Sequence, residues 1–248
     1  MPKIAIDTGA TLDYLDGAAG DKPVIILVHG MLGSARVHFP RIIDWLKDDF
    51  RLVGPTLRGY GESDPKPRRF SPHFYHHDAD DLLALMDALN IQQAHLLGYS
   101  DGGEAGLIAA AKEPQRFQKV VVWGAVGYFG PQMRPVAQRM FPATWMTEED
   151  KQRNHITNPD AFALSWIQAV HKIIDSGGDV SLSMAHRIKA SLLLMLGKED
   201  RLNPIEYGQR YIDHVPDGRL VTFECGHAIH DEAWEAFQQV VGDFLQSS

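Results

Sequence analysis

The sequence predicts an α/β fold: a mainly parallel sheet covered on both faces by helices, with a helical cap inserted late in the chain. Three observations carry this. Runs such as Val24–Val28 and Leu192–Leu196 are apolar throughout, as strands buried on both faces are. They alternate with stripes of apolar residues at helical spacing, an order that places crossover helices on a parallel sheet. Between Phe129 and Arg187 the alternation stops, and only helical patterns continue.

Taken in order, Lys3–Ile6 and Thr11–Leu15 read as short strands with Gly9 between them. Val24–Val28 runs into the glycine-bearing loop His29-Gly30-Met31-Leu32-Gly33-Ser34. Phe39, Ile42, Ile43 and Leu46 fall at i, i+3, i+4 and i+7, one stripe of a helix. Phe50–Gly54 is the next strand. Pro55 to Pro72 is rich in Pro, Gly and Arg and reads as a long irregular loop, a feature that usually serves function. Leu82, Leu85, Met86 and Leu89 give a helix over Asp78 to Leu89. Ala94–Leu97 is a strand, Gly98–Gly103 a tight turn, and Glu104 to Lys112 an alanine-rich helix. Lys119–Trp123, Leu192–Leu196 and Arg219–Phe223 complete eight strands, and the stripe from Ala233 to Phe244 closes the chain as a helix. The late insertion holds helical patterns at Met133–Met140, Thr147–His155, Pro159–Asp175 and Ser181–Arg187, with a turn cluster at Asp175-Ser176-Gly177-Gly178-Asp179. No linker divides the chain. The reading is one domain over 1–248, with a core of 1–128 and 188–248 and a cap of 129–187.

Lys and Arg number 24 against 32 Asp and Glu, a formal charge of −8. This argues against a nucleic-acid surface, which needs clustered basic charge. No apolar run approaches the length needed to span a bilayer, and the N-terminus lacks a signal-peptide pattern. The single cysteine, Cys225, allows neither an internal disulfide nor a zinc CxxC pair, which suits a reducing, cytoplasmic setting. His73, His76 and His77 cluster without a closed ligand set, so neither metal nor cofactor is expected.

The chemistry centres on Gly98-Tyr99-Ser100-Asp101-Gly102, a G-x-S-x-G that follows a buried strand and opens a helix. That setting projects a serine hydroxyl from the sheet on a sharp turn and places helix N-terminal amides behind it. A serine needs a base to become nucleophilic. His227, just past Cys225-Gly226 and the last strand, fits that role; His230 is its rival. The base needs a carboxylate to hold its tautomer, and Asp200 ends the turn after Leu192–Leu196. The backbone amides of Met31 and Asp101 are candidates for an oxyanion hole, and His29 reads as a residue that holds loops together. The Asp101 side chain is a carboxylate close to the reaction centre. It pairs with a basic group of the protein, turns to solvent, or receives a cationic part of the substrate. Phe129, Trp145 and Trp166 are candidate liners of a substrate pocket under the cap.

Together with Arg58-Gly59-Tyr60-Gly61-Glu62-Ser63, Gly197-Lys198-Glu199-Asp200 and Gly226-His227, these stretches resemble the α/β-hydrolase fold family across nearly the whole chain. The run Leu97-Gly98-Tyr99-Ser100-Asp101-Gly102-Gly103 with Ala109-Ala110-Ala111-Lys112 is similar to the nucleophile region of its biphenyl-hydrolase-like members. The resemblance implies a mostly parallel eight-stranded sheet, a triad of Ser100, Asp200 and His227, and an Asp101 carboxylate that receives the amino group of α-amino acid esters. The same family holds carbon–carbon bond hydrolases, lactonases, perhydrolases and plain carboxylesterases. The expectation is a serine hydrolase acting on a small-molecule ester as a monomer or small homo-oligomer, with a non-catalytic binding protein on the same scaffold as the remaining rival.

Overall fold

The computed structural model describes residues 2–17 and 21–247. Among them, eight strands form one sheet in the order β1-β2-β4-β3-β5-β6-β7-β8. The strands are β1 (Lys3–Ala5), β2 (Thr11–Asp16), β3 (Val24–Val28), β4 (Arg51–Pro55), β5 (Ala94–Tyr99), β6 (Phe117–Trp123), β7 (Ser191–Gly197) and β8 (Gly218–Phe223). β1 and β2 are antiparallel to their neighbours, and every other pairing is parallel. The helices are α1 (Ala35–His38), α2 (Pro40–Leu46), α3 (Phe74–Ala88), α4 (Asp101–Lys112), α5 (Met133–Gln138), α6 (Glu148–Arg153), α7 (Pro159–Asp175), α8 (Ile205–Ile212), α9 (Ile229–Glu232) and α10 (Trp234–Gln246).

The two-residue period of the strands divides the core between two faces. Ile25, Leu27, Leu97, Val121, Leu193 and Met195 pack with Phe39, Ile42, Phe237 and Val241 of α2, α10 and their flanks. Ile26, Val28, Leu96, Val120, Val122 and Leu194 pack on the other face with Leu82, Met86, Leu107 and Ile108 of α3 and α4. Burial on both faces explains why these strands read as unbroken apolar runs.

Several elements differ from the sequence reading. The stripe over Phe39 to Leu46 is broken, because Phe39 lies between α1 and α2 with φ −124° and Pro40 opens the second helix. Proline disfavours a helical residue before it, so the chain turns there, yet Phe39 keeps its place in the core. α3 begins at Phe74 rather than Asp78, since Phe74 and Tyr75 are buried and extend its packed face. Ser181–Arg187 forms a 3₁₀ helix over Leu182–Arg187. α8 has no counterpart in the sequence reading: it buries only Gly208, Tyr211 and Ile212, too few apolar positions for a stripe.

α5, α6, α7 and the 3₁₀ turn form the helical insertion between β6 and β7. The loop from β4 to α3 meets it and is fixed by a buried ion pair. The Arg68 guanidinium donates to Asp78 Oδ1 (2.6 Å) and Oδ2 and to the Arg58 carbonyl, and it lies over the Tyr60, Phe70 and Phe74 rings. Both charged side chains are almost wholly buried, at 2% and 0% exposed. Asp78→Ala leaves the guanidinium uncompensated and should cost about 3–5 kcal/mol. Urea unfolding at pH 7 measures it; a loss below ~1 kcal/mol means the pair does not hold the loop.

Candidate active site

The strand register delivers three distant segments to one edge of the sheet. Tyr99 lies beside Trp123, Trp123 beside Met195, and Gly197 beside Phe223, so β5, β6, β7 and β8 all end at the same carboxyl edge. Ser100 follows β5, Asp200 follows β7, and His227 follows β8. Ser100 takes φ 54° and ψ −123°, a strained conformation for a non-glycine residue of the kind found at functional turns. A Cβ on Gly98 would stand 2.7 Å from the Gly102 carbonyl, so the turn requires glycine there.

Ser100 Oγ donates to His227 Nε2 (2.9 Å), and His227 Nδ1–H donates to Asp200 Oδ2 (2.6 Å). Burial pushes the Asp200 carboxyl up; hydrogen bonds from His227, Asn203 and the Leu202 amide outweigh it and hold the group below the usual carboxylate range. An ionised Asp200 fixes the proton on Nδ1 and leaves Nε2 free to accept from the serine. The three residues form a Ser–His–Asp triad. Asn203 had no signal in the sequence beyond its place three residues after Asp200. It donates to both Asp200 Oδ2 (2.9 Å) and the Gly124 carbonyl (3.0 Å), tying the acid to the segment after β6.

His230 is buried against Trp123, whose indole N–H donates to His230 Nδ1 (2.9 Å), so it packs rather than reacts. His29 joins two loops. Its Nε2 accepts from the Leu57 amide (2.9 Å), and its Nδ1–H donates to the Gly30 carbonyl (2.6 Å). Burial lowers the His29 pKa to about 3, which keeps the ring neutral.

The loop after β3 passes directly over the nucleophile: a Cβ on Gly30 would lie 2.9 Å from the Ser100 Cβ. Met31 follows it. Among the described residues, neither the Met31 nor the Asp101 amide donates to another backbone group.

A small cavity of about 30 Å³ opens on Ser100 and His227 and is bordered by Tyr75, Asp101, Glu104, Phe129, Met133 and Trp166. No Lys or Arg is among the described residues that line it. Phe129 and Trp166 come to this cavity. Trp145 does not: it is 38% exposed, and its indole N–H donates to the Met140 carbonyl (2.8 Å).

Asp101 is buried. Its Oδ1 accepts from the Tyr75 hydroxyl (3.0 Å), while its Oδ2 has no hydrogen-bond partner. Burial pushes its pKa up to about 6, against the pull of the Arg68 charge and the Tyr75 hydrogen bond. Glu104, one helical turn on, accepts from the Val126 and Gly127 amides and is pushed by burial to about 7. Tyr75 and Glu104 carry no signal in the sequence, because each sits on a helix face whose partner only the fold supplies.

The comparisons agree with this geometry. Residues 23–171 match the family model described as the alpha/beta hydrolase fold. The serine hydrolase BPHL of Homo sapiens is 32% identical over 251 residues, covering 98% of this chain and 86% of that protein. The 2-hydroxy-6-oxo-6-phenylhexa-2,4-dienoate hydrolase of Burkholderia cepacia is 28% identical over 258 residues, covering 92% of this chain and 89% of the relative. A crystal structure of a hydrolase from Pseudomonas aeruginosa PA01 superposes with TM-score 0.77 at 24% identity, covering 99% of this chain and 98% of the other. With the parallel sheet, the strained serine turn and the assembled triad, these matches establish that the chain belongs to the α/β-hydrolase fold family and carries the machinery of a serine hydrolase.

Proposed function

We propose that the protein hydrolyses small carboxylic esters through an acyl-enzyme on Ser100, and that the acyl group carries an ammonium received by Asp101. One observation carries the reading: the Asp101 Oδ2 acceptor is buried and unpaired, on a residue that borders the same cavity as the nucleophile. A buried acceptor without a partner is costly in the free protein and favours a ligand that donates to it. The absence of Lys and Arg among the described cavity residues favours a cation over an anion beside Asp101.

His227 Nε2 takes the Ser100 proton as Oγ attacks the ester carbonyl. The Met31 and Asp101 amides donate hydrogen bonds to the developing oxyanion. His227 gives its proton to the departing alkoxide, and a water that it then deprotonates frees the acid and restores Ser100. The chemistry uses no cofactor. Phe129 and Trp166 bound the acyl pocket, and residues 129–187 act as its cap over one catalytic domain. Trp145 belongs to the outer surface of that cap. A cytoplasmic monomer or small homo-oligomer, with one buried thiol at Cys225, completes the reading.

Asp101→Asn should lower kcat/KM for α-amino esters by about a hundredfold or more, the usual scale for removing one partner of a buried charge pair. The des-amino analogues should keep their rate or gain, since a negative charge beside the oxyanion is removed. Equal damage to both ester classes contradicts the ammonium reading. The pH dependence has a sign. Asp101 is a carboxylate above about pH 6 and neutral below it. The ratio of amino-ester to plain-ester kcat/KM should therefore fall as pH drops through that value, while His227 cancels from the ratio. A ratio flat from pH 5 to pH 8 counts against the assignment.

Carbon–carbon bond hydrolysis is the second reading. Several relatives bear the names of 2-hydroxy-6-oxo dienoate hydrolases, and those names weigh toward it more than toward amino esters. Such substrates carry a carboxylate, which a cavity lined by Asp101 and Glu104 disfavours. A panel of α-amino esters, p-nitrophenyl esters, lactones and a 2-hydroxy-6-oxo dienoate separates these readings.

A further inference from the structure

The motif Arg58-Gly59-Tyr60-Gly61-Glu62-Ser63 has no part in the proposed chemistry, yet one side chain of the insertion joins it to the active-site edge. Asn154, at the C-terminal end of α6, is 4% exposed. Its Oδ1 accepts from the Gly61 amide (3.0 Å), and its Nδ2 donates to the Leu32 carbonyl (2.9 Å) and the Asp150 carbonyl (3.0 Å). Leu32 lies 122 residues away in sequence and directly follows Met31.

Leu32 is strained. The Gly33 amide donates to the Gly30 carbonyl (3.2 Å), closing a turn with Met31 and Leu32 at its corners. Leu32 takes φ 62°, in the left-handed region where turns ordinarily place glycine or asparagine. The core fixes the first half of this turn. Gly30 receives the His29 Nδ1–H at its carbonyl and donates its own amide to His38 Nδ1 (3.1 Å). At the second half, the Leu32 carbonyl accepts from Asn154, with Arg153 farther off at 3.4 Å.

We infer that Asn154 is a positioning residue for the oxyanion hole: by clamping Leu32 in its strained conformation, the insertion holds the Met31 amide toward Ser100. Catalytic competence then depends on the insertion being seated. With Asn154 gone, the corner relaxes to negative φ, the neighbouring peptide planes rotate, and the Met31 N–H loses its aim. The inference rests on the reading of Met31 as an oxyanion donor and does not depend on the ammonium assignment.

The test uses p-nitrophenyl acetate turnover and the affinity of phenylboronic acid, which forms a tetrahedral adduct on a catalytic serine. Asn154→Ala should lower kcat by about ten- to a hundredfold, short of or equal to the loss of a whole oxyanion donor. KM should change by less than about twofold, and boronate affinity should fall in parallel with kcat. Leu32→Gly in the Asn154→Ala background should recover most of the loss, because glycine takes the left-handed corner without a clamp. General damage to the insertion would not be repaired at that remote position. Should the alanine variant fail to fold, Asn154→Asp keeps the acceptor for Gly61 and removes the donor to the Leu32 and Asp150 carbonyls. A kcat within about twofold of wild type, a loss confined to KM, or no recovery with Leu32→Gly overturns the inference. Met31→Pro separates the two levels, since proline suits the first corner of a turn and lacks the amide. If Met31→Pro leaves boronate affinity intact, the oxyanion assignment itself is wrong. If it weakens boronate while Asn154→Ala does not, only the role of Asn154 falls.

Discussion

Ser100→Ala is expected to reduce kcat for ester hydrolysis by about six orders of magnitude and to abolish labelling by a fluorophosphonate probe. The size follows from the way the triad works. Once the nucleophile is gone, neither His227 nor Asp200 retains a task in acyl transfer, and the residual rate comes from binding and amide donors alone. The substitution removes one hydroxyl whose structural role is a single hydrogen bond to His227, so the fold should persist. Thermal unfolding checks that. A folded Ser100→Ala protein that keeps a tenth of wild-type activity would place the chemistry elsewhere, and a wild-type protein that resists the probe would favour a binding module on this scaffold.

Asp200→Asn should cost about 10⁴-fold in kcat with little change in fold. The cause is the tautomer of His227. Asp200 Oδ2 accepts from His227 Nδ1–H, and Asn203 and the Leu202 amide donate to the same carboxylate. An asparagine there can offer its own N–H to Nδ1. The ring proton then moves to Nε2, where it faces Ser100 Oγ and leaves no lone pair to take the serine proton. The depressed Asp200 pKa adds a further expectation. This carboxyl stays ionised through the working range, so the acid limb of the wild-type pH profile should not arise from it. Activity of Asp200→Asn within tenfold of wild type would show that another group orients His227.

The legible parts of this molecule are those fixed by local chemistry. Strands buried on both faces announce themselves as apolar runs, and the runs Val24–Val28 and Leu192–Leu196 end within a residue of β3 and β7. Ser100, Asp200 and His227 were legible because each sits in a short turn just past such a strand, and a parallel sheet forces those turns to one edge. What escaped depends on contacts between distant segments. Tyr75 is one of two adjacent aromatics at the start of α3, and nothing nearby in sequence says that its hydroxyl meets Asp101. Asn154 looks like an ordinary helix-terminal residue until the fold brings Leu32 and Gly61 to it. Trp145 reads in the sequence as a large aromatic of the insertion, a property that does not distinguish an inner from an outer face. α8 shows a different limit: a short helix with a narrow buried edge has too few apolar residues to reveal its period.

Mass spectrometry of protein quenched during turnover of an α-amino ester bears most directly on the account. The expected result is the aminoacyl group bonded to the Ser100 peptide, accumulating faster than the acyl group of the des-amino ester, with the difference lost in Asp101→Asn. An unmodified Ser100 while product accumulates, or acylation of another residue, would contradict it.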